Sequence, residues 1–519
     1  MSRGVVSHRP NRLEWVSRLR ILPIRKLLPL VICAMAGSFV FAAASVLKSG
    51  EFSELRPLKL NTKDDEFGVA FSADGRTMYF TTETAGRQRI MICDFNGGEC
   101  GPATEVNVFP AGRVRNVGMP AISSDGHYMV FAAMLTDMSG YGRTDLYSAR
   151  KVNGAWKDIR NLGVTVNSSG WDSHPSLSTD GSTLYFASDR DDGLGGTDIY
   201  RCTRVGSSWS KAEAVRGLNT IADDMAPCIS PDMRTLYFVS NRTGGIGGYD
   251  VYAGMIDADS LRSVRLLSGP VNTKANEFGF SVSVSGNVIA VASDRDAVGV
   301  QCDIYIGTSL LRDPAMTLLR GELSGQDSAG RAISWISVHS LDDNRSDIDV
   351  RVDDLTRTYT AVLAPGHVYA VTSWETESVL PTRVMRIDNT EQGTVRTVNL
   401  NAYPCVDGTR LALPISLTES GGVVNTLAHL ELRRLAELML AHPELRVSVI
   451  VRTPDADGDS ASALHSAKVD FIKSMRTTLN LRGIPFSSVL DGSGTAEEER
   501  EREVYQEGSE PYVVVYFRK

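Results

Sequence analysis

The sequence predicts a multidomain chain: an all-β propeller of about five blades, a β-sandwich, and an α/β domain. Three observations carry this reading. One pattern of short strands returns five times between residues 71 and 310. From about Leu318 that repeat stops while strand-like alternation continues. After Pro404 apolar strands alternate with helical periodicity. A chain of 519 residues is also too long for a single core, so several domains are expected.

The repeat justifies the propeller. FSADGRTMYFTTE starts at Phe71, ISSDGHYMVFAAM at Ile122 and LSTDGSTLYFASD at Leu177. ISPDMRTLYFVSN at Ile229 and VSVSGNVIAVASD at Val282 complete the set. The matching serines are Ser72, Ser123, Ser178, Ser230 and Ser283, a period of 51 to 55 residues. A third strand recurs at Asp145, Asp198, Asp250 and Asp303 as Asp-Leu/Ile/Val-Tyr. Several short strands per unit of this length indicate one blade each. The Asp-Gly turns join two strands, and TLYFAS alternates its side chains across a pleated one. Glycines 193, 195 and 196, like 244, 245, 247 and 248, are expected to permit a tight crossing with positive φ. Tryptophan strands follow in AWKDIRNL and SWSKAEAV. EFSELRPLKLN, residues 51–61, either begins a sixth, degenerate blade or closes the ring as an outer strand.

The repeat resembles TolB-type propellers over residues 52 to 310. That resemblance implies a ring-shaped platform for other proteins. Asp189, Asp191 and Asp192 in SDRDDG suggest calcium ligation. Their recurrence in nearly every unit favours caps that tie blade loops together. His174, before Pro175 at a strand start, reads as a packed loop histidine rather than a base.

Residues 313–400 read as the sandwich. LLRGELSGQDSAGRAISWISVHSL predicts a hairpin, and TRTYTAVLAPGHVYAVTSW continues the alternation. The order resembles the carboxypeptidase regulatory-like module, which is non-catalytic.

Residues 401–519 supply the α/β domain. ALPISL predicts a strand from Ala412, and a helix spans Thr426 to Ala441. RVSVIVRT is a strand from Arg446. A second helix runs from Ser462 to Arg482, with Val469, Ile472, Met475 and Leu479 on one face and Gly483 as cap. FSSVL and PYVVVYF are further strands. This order resembles the OmpA-like peptidoglycan-binding domain, in which an aspartate and a helix arginine grip diaminopimelate. The resemblance places these roles on Asp455 and Lys468. The motif is eroded here: Pro454 interrupts the Thr-Asp step, and lysine lacks the planar fork of arginine.

At the N-terminus, Arg18, Arg20, Arg25 and Lys26 precede an apolar run from Leu27 to Leu47, with Ala42-Ala43-Ala44 at its end. Residues 1–50 thus read as a signal peptide or a membrane anchor. Leu30-Val31-Ile32-Cys33 is like a lipoprotein signal but has Ile32 where a small residue belongs. The remainder is expected in the periplasm or associated with the outer membrane. There, Cys93 and Cys100 are candidates for a disulfide across an Asn96-Gly97 turn. No CxxC zinc framework and no cofactor site is found, and a net charge of -8 argues against nucleic acid.

The domain order resembles PorE-type envelope proteins of the type IX secretion system, which also carry a helical-repeat domain that this chain lacks room for. The sequence reading is therefore a non-enzymatic envelope scaffold, with a protein partner on the propeller and peptidoglycan on the C-terminal domain. The alternatives are an interaction module without wall binding, or a propeller hydrolase.

Overall fold

The structure is a computed structural model. It describes residues 52–205, 208–257, 260–296, 301–309, 316–327, 329–342, 347–413, 426–452, 469, 472–473, 475–485, 487, 489–491 and 512–518. The leader and both candidate wall-binding residues, Asp455 and Lys468, lie outside these. Two compact units are formed, one ending at Ala315 and one beginning at Met316.

The first unit is a ring of five antiparallel sheets. Their innermost strands are Asp65–Phe71, Val114–Ile122, Asp172–Leu177, Asp224–Ile229 and Glu277–Val282. Each packs against the next, and Glu277–Val282 packs back on Asp65–Phe71. That circular adjacency defines a five-bladed propeller. The fifth blade completes its four strands with Arg56–Pro57, paired antiparallel to Asp303–Thr308. The EFSELRPLKLN segment is therefore the closing outer strand.

The blades form where the repeat predicts because each strand buries alternating or continuous apolar side chains. Thr183–Ser188 and Thr235–Ser240 are sealed on both faces, which accounts for their unbroken apolar runs. The tryptophans of the outer strands, Trp156 and Trp209, are buried too.

The hairpin at the first cysteine pair differs from the expected one. Its turn is Gly97-Gly98, both at positive φ, with Asn96 opposite Glu99 and Phe95 opposite Cys100. Two successive left-handed residues suit two glycines, so the turn moves by one residue and the partner of Cys100 moves by two, from Cys93 to Phe95. Cys93 and Cys100 are disulfide-bonded with Cα atoms 5.9 Å apart, although they are not directly opposite.

In the second unit, Thr317–Ser324 pairs with Thr358–Leu363 and, in parallel, with Val395–Thr397. Trp335–Ser340 pairs instead with Ile348–Arg351 and Val368–Thr372. In place of the expected hairpin, consecutive strands cross to opposite sheets of a sandwich. Alternation marks a strand but leaves its partner open.

Beyond the sandwich, a four-stranded sheet orders Arg410–Leu413, Tyr512–Arg518, Arg446–Arg452 and Val489–Asp491. The helix Thr426–Ala441 packs Leu432, Leu435 and Met439 against it. The described part of the second helix buries Ile472, Met475 and Leu479, but Val469 is exposed, contrary to its expected place on that face. Val379 and Cys405 join the same core, so sandwich and sheet share apolar packing. Among the described residues no helix is long and apolar enough to cross a membrane.

Candidate functional site at the propeller channel

The recurring polar residues have structural partners. In all five blades the repeated serine ties a tight turn: Ser72, Ser123, Ser178 and Ser230 donate to Asp74, Asp125, Asp180 and Asp232, and Ser283 meets Ser285. Asp250 accepts from the Ile246 and Gly247 amides, and so holds its glycine loop. Of the loop glycines only Gly244 has the expected positive φ; the glycine three residues before Asp198 or Asp250 is needed instead for a close approach. A Cβ on Gly195 or Gly247 would overlap the Ala222 or Ala275 carbonyl oxygen of the next blade.

The arginine of the Ser-Asp/Asn-Arg step is a clamp. Arg242 donates to Asp224 at 2.6 Å, to the Leu218 carbonyl at 3.0 Å and to Ser240 at 3.0 Å. Its guanidinium also lies over the Tyr252 ring at 5.0 Å. Arg190 with Asp172 and Arg295 with Glu277 repeat this in the neighbouring blades. A second clamp was not singled out in the sequence. Asn167, Asn219 and Asn272 each accept from a backbone amide of the preceding blade and donate to its carbonyl. Asn61 does the same to Ile304 at the ring closure.

The acids of SDRDDG divide accordingly. Asp189 pairs with Arg143 and accepts from the Trp171 amide at 2.7 Å. Asp192 faces the Tyr200 hydroxyl at 3.4 Å, and Asp191 is exposed. Among the described residues no group of three or more His, Cys, Asp or Glu is placed to hold a metal ion.

The non-repeated chemistry lies in the central channel. Every inner strand carries a bulge or register shift at the channel wall. Four and five residues before each repeated serine stand the pairs Phe67-Gly68, Gly118-Met119, Ser173-His174, Met225-Ala226 and Phe278-Gly279. Each blade thus offers one large and one small residue, with the order reversed in blades two and three. The narrow ring enforces this. A Cβ on Gly68 would lie 2.6 Å from the Met119 sulfur, and one on Gly118 2.7 Å from Thr81. Met119 and His174 accordingly sit at φ 52°.

The large residues frame a cavity of about 140 Å³ at one mouth of the channel, lined by Phe67, Met119, Trp171, His174, Met225 and Phe278. Met119, His174 and Phe278 also border a narrower space of about 50 Å³ beneath it. Glu83, Arg143, Asp189 and Asp223 supply charge at the mouth. Gln88 donates to Glu83 at 2.9 Å and Tyr249 to Asp223 at 2.9 Å, which fixes both carboxylates.

His174 packs its ring edge on Trp171, with centroids 5.2 Å apart. Its Nδ1 is sealed from solvent and has no hydrogen-bond partner among the described residues. Burial holds its pKa down at about 4, so the imidazole is neutral at neutral pH. Burial also pushes the Cys302 thiol well up, which keeps it protonated and unreactive. Asp65, close by at the ring closure, is raised to about 6, chiefly by burial and against the Cys302 amide that it accepts from.

No protein-family model and no curated protein matches the sequence. Solved structures do resemble it. TolB from Acinetobacter baumannii is 17% identical over 49% of this chain and 56% of its own, with a TM-score of 0.33. The chain therefore spans little more than half of that protein. A putative TolB from Agrobacterium tumefaciens is 15% identical over 58% of this chain and 91% of its own, with a TM-score of 0.33. A GH43 endo-arabinanase from Bacillus licheniformis is 15% identical over 51% of this chain and 98% of its own, with a TM-score of 0.32.

Proposed function

We propose that the protein is a non-enzymatic scaffold of the cell envelope. Its propeller presents the channel mouth to a protein partner, and its C-terminal α/β body attaches to peptidoglycan through Asp455 and Lys468. One observation carries the first half. The repeated polar side chains are consumed by clamps within and between blades, whereas the non-repeated residues gather at one mouth as an apolar, ring-lined recess. A platform with a recess is suited to capture. The wall-binding half rests on the sequence resemblance.

The test uses the chain from Phe52 onward. A fragment starting at Asn401 would strand Glu431 and Arg434, whose partners Thr372 and Thr382 lie in the sandwich. Sedimentation with insoluble diaminopimelate-type peptidoglycan is expected to carry the protein down, and Asp455→Ala and Lys468→Ala are expected to release it. In-cell photo-crosslinking from the channel mouth should recover one envelope protein. A parent protein that stays in the supernatant removes the wall anchor, and the absence of a crosslink at the mouth removes the propeller platform.

A further inference from the structure

The propeller carries a second surface feature, set outside the recess and made by loop tips. We infer that these tips insert into the interface of a bilayer with zwitterionic headgroups.

Placement comes first. In blades two, three and four, the loop after the second strand carries an exposed apolar residue four places before the aspartate that opens the third strand. These residues are Tyr141 before Asp145, Leu194 before Asp198 and Ile246 before Asp250. Met138 stands on the first of these loops, and Ile221 on the loop that enters blade four. Together they are five of the eight large apolar residues that the described part of the first unit leaves exposed. Leu194 is 70% exposed and Ile221 94%. The tips of neighbouring blades meet, because Gly195 abuts the Thr220 and Ala222 carbonyls on either side of Ile221. Gly142 and Gly247 abut the matching loops at Ser168 and Thr273. The result is an apolar crescent over three consecutive blades.

Shape selects a lipid surface. Each side chain projects from its own loop instead of lining a groove. A fluid interface closes around separate tips and buries all of them at once. The backbone beneath is prepared for such a medium. The Tyr141 and Ile246 amides donate to Asp145 at 2.7 Å and to Asp250 at 2.8 Å, and the Gly195 amide donates to Asp198 at 3.0 Å. The tips can therefore leave water without stranding these donors.

Charge selects the headgroup. The arginines of the three loops, Arg143, Arg190 and Arg242, are paired with Asp189, Asp172 and Asp224. Asp137, Asp191 and Asp192 are exposed on the loops of blades two and three, and Arg216 and Lys274 on the loops entering blades four and five. Acids and bases of similar number leave no single-sign field to draw an anionic membrane. They complement a headgroup that carries both an ammonium and a phosphate.

The chain from Phe52 onward serves for the test. Phe52 bridges Ser309, just past the end of Asp303–Thr308 that is remote from these loops, so the crescent is read without the leader. Flotation with vesicles of phosphatidylethanolamine and phosphatidylcholine should carry the protein up. Added phosphatidylglycerol should not strengthen binding, and about 0.5 M salt should not abolish it. Leu194→Ser and Ile221→Ser should each weaken partition about tenfold. Val205→Ser and Met255→Ser alter exposed apolar residues at the far ends of their strands and should change nothing. Emission from Ile221→Trp should be quenched by lipids brominated near the headgroup. All these positions are exposed, so the fold is kept. No flotation, equal losses from the Val205 and Met255 variants, or binding that requires phosphatidylglycerol and vanishes in salt overturns the inference.

Discussion

The two units use buried arginine in opposite ways. In the propeller, Arg242 spreads its donors over a carboxylate, a carbonyl and a serine, and a ring covers its face. Its side chain keeps 16% of its surface open to solvent. In the second unit, Arg434 on the helix Thr426–Ala441 is 3% exposed and lies 3.8 Å from Glu431, which is fully buried. Thr372 and Thr382 of the sandwich satisfy part of this pair, but Arg434 Nη2 and Glu431 Oε2 have no partner among the described residues. The propeller clamp distributes its charge over many small contacts and is repeated. The helix pair has no such copies among the described residues, is half-satisfied, and depends on the sandwich being present. The difference teaches that a buried ion pair can either be one copy of a repeated clamp or an unrepeated tie between two packed elements.

The largest expected effect breaks the second kind. Glu431→Ala leaves the Arg434 charge buried without its carboxylate and should cost the second unit about 3–5 kcal/mol. Denaturant unfolding followed by probes in each unit will read it. Replacing both, as Glu431→Leu with Arg434→Met, should recover most of that loss, because an apolar pair of similar volume avoids the desolvation of both charges. If the double variant is as unstable as the single one, the pair contributes through its charge and the comparison fails.

The clamp should break more gently. Asp224→Ala removes the carboxylate that also accepts from the Thr220 amide and hydroxyl, yet Arg242 keeps Leu218 and Ser240. A loss of about 2–3 kcal/mol from the propeller is expected. A smaller step is Asn61→Ala, which deletes two hydrogen bonds to Ile304 across the ring closure, for about 1–2 kcal/mol. Hydrogen exchange at Asp303–Thr308 should accelerate ahead of the other blades.

The smallest effect is one of pH. Asp65 has its folded pKa raised from 3.8 to about 6, so the folded state binds this proton more tightly than the unfolded one. Its contribution to stability is full below pH 3.8 and is lost as pH rises through about 6. Asp65→Asn stays neutral and can still accept from the Cys302 amide. It should raise the melting temperature at about pH 7 and leave it unchanged near pH 3.5.

Much of the first unit was legible because a blade is a local unit copied along the chain. The serine, the Asp-Gly turn and the Asp-Ile-Tyr strand each answer to neighbours within a few tens of residues. The limits of the helix Thr426–Ala441 were equally local, set by leucine spacing and Pro443. What the sequence hid was pairing at a distance. The sandwich strands alternate cleanly, yet Thr317–Ser324 and Trp335–Ser340 each pair with the strand three elements on. The asparagine clamps were visible as Asn-Thr or Asn-Ser before four inner strands, but their role appears only when a neighbouring blade stands beside them. The channel residues carried a signal of their own, one large and one small side chain at a fixed distance from the serine. Its meaning comes from the narrowness of a five-membered ring.

The closing strand has a mechanical consequence. Phe52 bridges Ser309, and Arg56 stands opposite Ile306, so the two ends of the ring leave it side by side. Tension pulling Phe52 and Ser309 apart would load this seam in peeling geometry, one pair at a time. No neighbouring pair would share the load, so the ring would part there while its blades stayed folded.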